Sequence, residues 1–351
     1  MIQSVVNEFF KLRPLLNQGL IAGGKIPLKR RSAEILDWIN KYVIYTSLYR
    51  KCESGWFMTN DSIFIQLKQL YALMILTIDD VVDEYPLEKS NLILNYLDSK
   101  ISKQEVFVDL VFEQEEVLND ILDTGLSTVE IEYTKYIAKL FSQLGYHLFN
   151  NFIQNKLIKS WSEAILANLC KNFAEYKWVL NMRDIDQIPQ SQDRLNYKYT
   201  QGAEFSVFMD QIRLNQSFND EFGNTINNVF LMFNSISGLQ SEVLGGDKTN
   251  YVLCVFNEIN PLENMQWKDK SYRVQVCTDI SNSRELKLLL KDQIDKYLVN
   301  LRRYFGSYQL DYDRFQASLW NIYPITGFLN VGFGIIAGFR TCFFGFLFLK
   351  R

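Results

Sequence analysis

The chain of 351 residues contains one histidine, His147. A zinc site of the HExxH type needs two histidines on one helix face, and a Ser-His-Asp triad needs one poised beside its nucleophile. His147 sits in the aromatic helical stretch SQLGYHLFN, where it reads as a core or boundary residue. Any chemistry here falls to carboxylates, amides, Lys, Arg or a metal held by oxygen. A basic excess is also missing: 37 Lys and Arg against 40 Asp and Glu give a net charge of −3, which excludes the usual footprint of a nucleic-acid binder. The five cysteines, Cys52, Cys170, Cys254, Cys277 and Cys342, are odd in number and contain no CxxC. They read as reduced thiols of a cytoplasmic protein, neither a disulfide frame nor a zinc site. The N-terminus, MIQSVVNEFFKLRPLL, lacks the basic-then-apolar order of a secretory signal.

Proline is scarce as well, with six in the chain and none between Pro86 and Pro189. What the chain has is apolar and aromatic: 48% hydrophobic residues, with 26 Phe, 19 Tyr and 6 Trp, enough for a large core. Segments 62–78, 129–150, 160–182, 224–244 and 284–305 carry apolar residues at helical spacing. In the last, Leu286, Leu289, Leu290, Ile294, Tyr297, Leu298 and Leu301 form one stripe. The run Tyr251–Phe256 suits a strand by composition, but the helical context favours a buried helix. These patterns predict one all-α domain over residues 1–320. The tail, 321–351, differs: Phe328–Leu349 is almost wholly apolar or glycine, interrupted by Asn330 and Arg340. Its length just suffices to cross a bilayer. Three readings stand side by side: a membrane-associating tail, a last helix packed on the domain, or an addition from a misplaced gene boundary.

Three constellations bear on chemistry. Asp79-Asp80-Val81-Val82-Asp83-Glu84 follows the apolar run LYALMILTI and, on a helix, pairs Asp79 with Asp83 and Asp80 with Glu84. Carboxylates so spaced repel, and a hard divalent cation removes the penalty; a solvated acidic helix end is the plainer reading. Asn234, Gly238 and Glu242 recur every four residues and share a helix face, which suits either a cation grip or an ordinary polar surface. Arg303-Tyr304 closes the helix from 284; an Arg there suits phosphate or simply complements the helix dipole.

Their order resembles that of the class I terpene synthases of the microbial type, over roughly residues 55 to 310. Asp79–Glu84 is similar to the aspartate-rich DDxxD motif, and Asn234, Gly238 and Glu242 to the second metal motif. Gly246-Asp247-Lys248-Thr249-Asn250 is similar to the GDxxN continuation, and Arg303-Tyr304 to the late RY pair. The chain departs from the pattern at Ser235, at Gly238 where Ser is commoner, and at Ser241 where many members carry Lys. Lys198-Tyr199-Thr200-Gln201-Gly202 is similar to the diphosphate-sensing segment, with Lys198 in place of Arg.

The resemblance implies an α-helical barrel with a central apolar cavity. It implies Mg²⁺, three ions with Mn²⁺ as a substitute, at Asp79, Asp80, Asp83, Glu84, Asn234, Gly238 and Glu242. Lys198, Arg303 and Tyr304 would bind the diphosphate of a linear prenyl diphosphate. Farnesyl diphosphate is the favoured substrate and geranylgeranyl diphosphate the next, cyclised to a terpene by a monomer or homodimer. Two alternatives remain open. A chain-elongating prenyl diphosphate synthase would need a second DDxxD, which 234–242 does not supply. A non-catalytic helical protein, either a degenerate synthase or a membrane-attached scaffold using its apolar tail, is motivated by Lys198 and Ser241.

Overall fold

A computed structural model of the chain describes residues 71–102 and 125–138, apart from scattered positions, together with 158–197 and 220–305 except 264–265. Asp79, Asp80, Asp83, Glu84, His147, Lys198 and the tail from 306 onward lie outside the described residues. Among the described residues every regular element is helical and no strand occurs. The helices are α1 (Leu87–Ile101), α2 (Ile158–Asp184), α3 (Ser191–Asn196), α4 (Asp220–Gly245), α5 (Tyr251–Ile259), α6 (Lys270–Asn282) and α7 (Arg284–Phe305). The chain divides into two compact units, residues 1–180 with 204–218, and residues 181–203 with 219–351.

In the first unit, Tyr71, Met74, Ile75, Ile78, Val81 and Val82 are buried at the three- and four-residue spacing of one helix face. Helix α1 opens just after Pro86, where the missing N–H removes no intrahelical bond, and buries Ile93, Leu94, Leu97 and Ile101. The Ser90 hydroxyl donates to the Val81 carbonyl at 2.8 Å, tying the start of α1 to the segment before it. Helix α2 contributes Leu169, Phe173, Tyr176 and Leu180 to the core. The Tyr176 hydroxyl donates to Ile75 O at 3.1 Å, and the Tyr71 hydroxyl donates to Asn168 Oδ1 at 3.1 Å while accepting from Asn172 Nδ2. Lys177 pairs with Asp98, joining α2 to α1. Ser127 and Glu130 form a reciprocal capping box: the Ser127 N–H donates to Glu130 Oε2 at 2.6 Å and the Glu130 N–H to Ser127 Oγ at 3.4 Å. Lys89 adds an ion pair to the same carboxylate at 2.8 Å.

In the second unit α4 packs against α5, α6 and α7. Its N-terminal half is enclosed on most sides, with Ile226, Val229, Leu231, Met232 and Phe233 all fully buried. Its C-terminal half narrows to the buried line Ile236, Leu239 and Val243. Helix α5 buries Tyr251 through Phe256 without a break. A segment enclosed on every side shows no periodicity, which is why its composition alone suited a strand equally well. Helix α7 buries Leu286, Leu290, Ile294, Leu298 and Leu301 along one stripe. Leu289, expected in that stripe, is exposed; at 100° per residue it falls well outside the arc that the five span.

Candidate functional site

Helix α4 runs unbroken through the second constellation, so Asn234, Gly238 and Glu242 do share one stripe. All three are half-buried, between the core line at 236, 239 and 243 and the exposed Ser237, Gln240 and Ser241. Two turns of helix separate Asn234 from Glu242, a rise of about 12 Å. Glutamate side chains on a helix lean toward its N-terminus, and Glu242 does so. A Cβ placed on Gly238 would lie 2.0 Å from Glu242 Oε1 and 2.8 Å from its Cδ. The carboxylate therefore occupies the space a side chain at 238 would fill, and its separation from Asn234 along the axis shrinks to about one turn. Gly238 offers this space and no ligand atom: its carbonyl oxygen accepts the Ser241 hydroxyl at 2.9 Å.

The turn after α4 fixes the other carboxylate oxygen. Gly246 has φ +95°, and the N–H groups of Gly246 and Asp247 donate back to Val243 O at 3.0 Å and Glu242 O at 2.9 Å. This is a Schellman closure, with glycine in the left-handed position. Asp247 Oδ1 then accepts from the Thr249 N–H at 2.7 Å and the Thr249 hydroxyl at 2.8 Å, turning the chain toward α5. Asn250 caps α5, its Oδ1 accepting from Val252 N at 2.9 Å and Leu253 N at 3.2 Å. Its Nδ2 donates to Ser235 O at 2.8 Å and to Glu242 Oε2 at 2.7 Å. Asn250 falls in the GDxxN match, which by itself assigns it no role. The one available signal was an Asn immediately before an apolar run, which marks a helix cap and says nothing of Glu242.

Neighbouring groups brace this corner. The Trp267 indole N–H donates to Gly246 O at 2.9 Å, and Arg273 Nε to Leu244 O at 3.3 Å, so the carbonyls at the end of α4 gain donors. Ser235 is buried, and its hydroxyl accepts from the Tyr251 N–H at 3.3 Å. The Tyr251 hydroxyl donates to Gln293 Oε1 on α7 at 2.9 Å. Burial pushes the Tyr251 phenol and the Cys254 thiol well above their ordinary ranges, so neither supplies an anion near neutral pH. Cys170, Cys254 and Cys277 are free thiols.

The donor chemistry of Asn234 and Glu242 fits a hard divalent cation, which takes amide and carboxylate oxygens. Among the described residues no group of three or more His, Cys, Asp or Glu could hold a metal ion. Asp79, Asp80, Asp83 and Glu84, the acidic half of the expected ligand set, lie outside the described residues, as does Lys198. Arg303 is exposed in the last turn of α7, and Tyr304 continues that helix with its side chain outside the described part. No helix among the described residues is long and apolar enough to cross a membrane. No protein-family model, no curated protein and no solved structure matches the chain.

Proposed function

We propose that the chain is a Mg²⁺-dependent terpene synthase of the class I type, ionising a linear prenyl diphosphate and cyclising the resulting cation. Farnesyl diphosphate is the first choice of substrate and geranylgeranyl diphosphate the second. The observation that carries the reading is the Glu242 carboxylate, tethered by Asn250 and turned back over Gly238 toward Asn234. A half-buried carboxylate and an amide on one stripe suit oxygen coordination better than they suit a core or a free surface.

In this reading Asn234 and Glu242 hold one part of the cation set, and Asp79, Asp80, Asp83 and Glu84 hold the rest. Mg²⁺, when bound, neutralises the diphosphate and makes it a competent leaving group. Lys198, Arg303 and Tyr304 donate hydrogen bonds to the diphosphate oxygens. Ionisation leaves an allylic cation, which water would quench, so the chain's part is to keep the pocket dry and shaped. Aromatic faces stabilise a passing cation by roughly 0.5–2 kcal/mol each. The departing diphosphate serves as terminal base, so the reaction asks nothing of a histidine.

The test is product analysis with C10, C15, C20 and C25 diphosphates and Mg²⁺. Asp83→Ala and Asn234→Ala should each abolish product while the helical circular-dichroism signal persists. A second reading also has an observation behind it. Glu242 already has a donor in Asn250, so the pair also works as a structural clasp in a non-catalytic helical protein. That reading predicts no product and no response of thermal stability to Mg²⁺ with diphosphate.

A further inference from the structure

We propose that the outer face of α7 pairs two copies of this chain, antiparallel, about a two-fold axis at Ile294. The proposal is independent of the metal-dependent reading above. Helix α7 turns Leu286, Leu290, Ile294, Leu298 and Leu301 inward, where it packs on α4 and α5. On the side away from that stripe lie Glu285, Leu289, Asp292, Lys296, Val299 and Arg303, all exposed. They recur at alternating steps of four and three, the spacing of a seam between two helices. The Asp292–Lys296 ion pair belongs on any solvated helix face. The apolar residues flanking it do not. Leu289 is 36% exposed, and Val299, β-branched and a weak helix former, is 52% exposed.

The order of these residues is self-complementary. Glu285 and Arg303 stand nine residues either side of Ile294, Leu289 and Val299 five, and Asp292 and Lys296 two. An antiparallel copy about that point sets acid against base and apolar against apolar at every position of the seam. Leu289 meets the partner's Val299 and Asp292 meets the partner's Lys296, and the symmetry makes each contact twice. A parallel copy in register would set acid on acid and base on base, so the charges select the antiparallel arrangement. Asp295, beside the seam, is already paired with Lys291. The outer positions are not needed: Glu285 and Arg303 also complement the helix dipole, and the proposed function gives Arg303 to diphosphate. The inner four carry the interface. A seam along one helix of 22 residues, about 33 Å long, is small for a protein interface, so the dimer is weak and reversible.

The experiment is sedimentation equilibrium of the full chain, up to its highest soluble concentration. The expected result is a reversible dimer that weakens as salt is raised. Asp292→Lys and Lys296→Asp each set like charges across the axis twice, and each should weaken the dimer by about tenfold or more. Asp292→Lys combined with Lys296→Asp restores every pairing and should return the affinity to within about twofold of wild type. Lys291→Asp breaks the comparable Lys291–Asp295 pair on the same helix, away from the seam, and should change the affinity by less than about twofold. Circular dichroism checks that each variant keeps its helices. A wild type that stays monomeric at every concentration overturns the proposal. A dimer indifferent to both single reversals also overturns it, because another face then holds the copies together. So does a double variant no tighter than the single ones, or a Lys291→Asp variant weakened as much as they are.

Discussion

Gly238→Ala has two opposing effects on stability, and their difference reads the strength of the Glu242 tether. Replacing glycine by alanine within a helix stabilises by about 1 kcal/mol, from backbone entropy alone. The new Cβ, however, would sit 2.0 Å from Glu242 Oε1 and 2.8 Å from Cδ. The carboxylate must swing away, and the 2.7 Å bond from Asn250 Nδ2 to Oε2 goes with it. A hydrogen bond to a charged group contributes about 1.5–3 kcal/mol, and Asn250 then keeps a buried N–H without an acceptor. Glu242 is half-buried and regains water when it moves, so the lower part of that range applies. The balance is a net destabilisation of about 1 kcal/mol. In a Glu242→Ala background there is no carboxylate to displace, and Gly238→Ala should stabilise by about 1 kcal/mol. Urea unfolding of the four proteins, followed by circular dichroism, forms a double-mutant cycle with a predicted change of sign. Stabilisation by about 1 kcal/mol in both backgrounds would refute the tether.

Three further outcomes follow from the same reasoning. Burial alone would raise the Glu130 carboxyl, but Lys89 and the Ser127 N–H and hydroxyl outweigh it and hold the pKa below its ordinary 4.5. Its stabilisation is complete above that value and fades as pH falls through the lower folded value. Glu130→Gln keeps an acceptor for Ser127 but loses the charge opposite Lys89, so it should cost about 0.5–1 kcal/mol at pH 7 and progressively less as pH is lowered below 4.5 in denaturant titrations. Gly246→Ala should destabilise by about 1–2 kcal/mol through its positive φ, although nothing crowds the position, whereas Gly245→Ala should change little; thermal melts of the two decide. Leu290→Ala should cost about 2–5 kcal/mol, and the 36%-exposed Leu289→Ala less than about 1, in the same assay.

Helix content was legible wherever one face is buried and the other is wet. The spacing of Leu286, Leu290, Ile294, Leu298 and Leu301 announces α7, and the structure buries all five. Leu289 shows the limit of that reading: an apolar residue near a stripe is not thereby in it, since packing against α4 covers only part of the circumference. Tyr251–Phe256 was ambiguous because enclosure on every side erases the period; what makes it a helix is the Asn250 cap as much as composition. The Asn234–Gly238–Glu242 face was legible because four-residue spacing translates directly into geometry on an unbroken helix. The bond from Asn250 to Glu242 was not, because it depends on the Gly246 turn aiming α5 back at α4. No spacing rule encodes the direction in which a chain leaves a helix.

The central claim is that this chain ionises a prenyl diphosphate with the help of Mg²⁺. The most direct measurement is release of diphosphate from the C15 and C20 substrates, side by side, with Mg²⁺ and with a chelator, by wild type and Asn234→Ala. The account predicts release and a terpene hydrocarbon from at least one substrate, dependent on Mg²⁺ and lost in Asn234→Ala. Folded wild-type protein that releases no diphosphate from either substrate would contradict it.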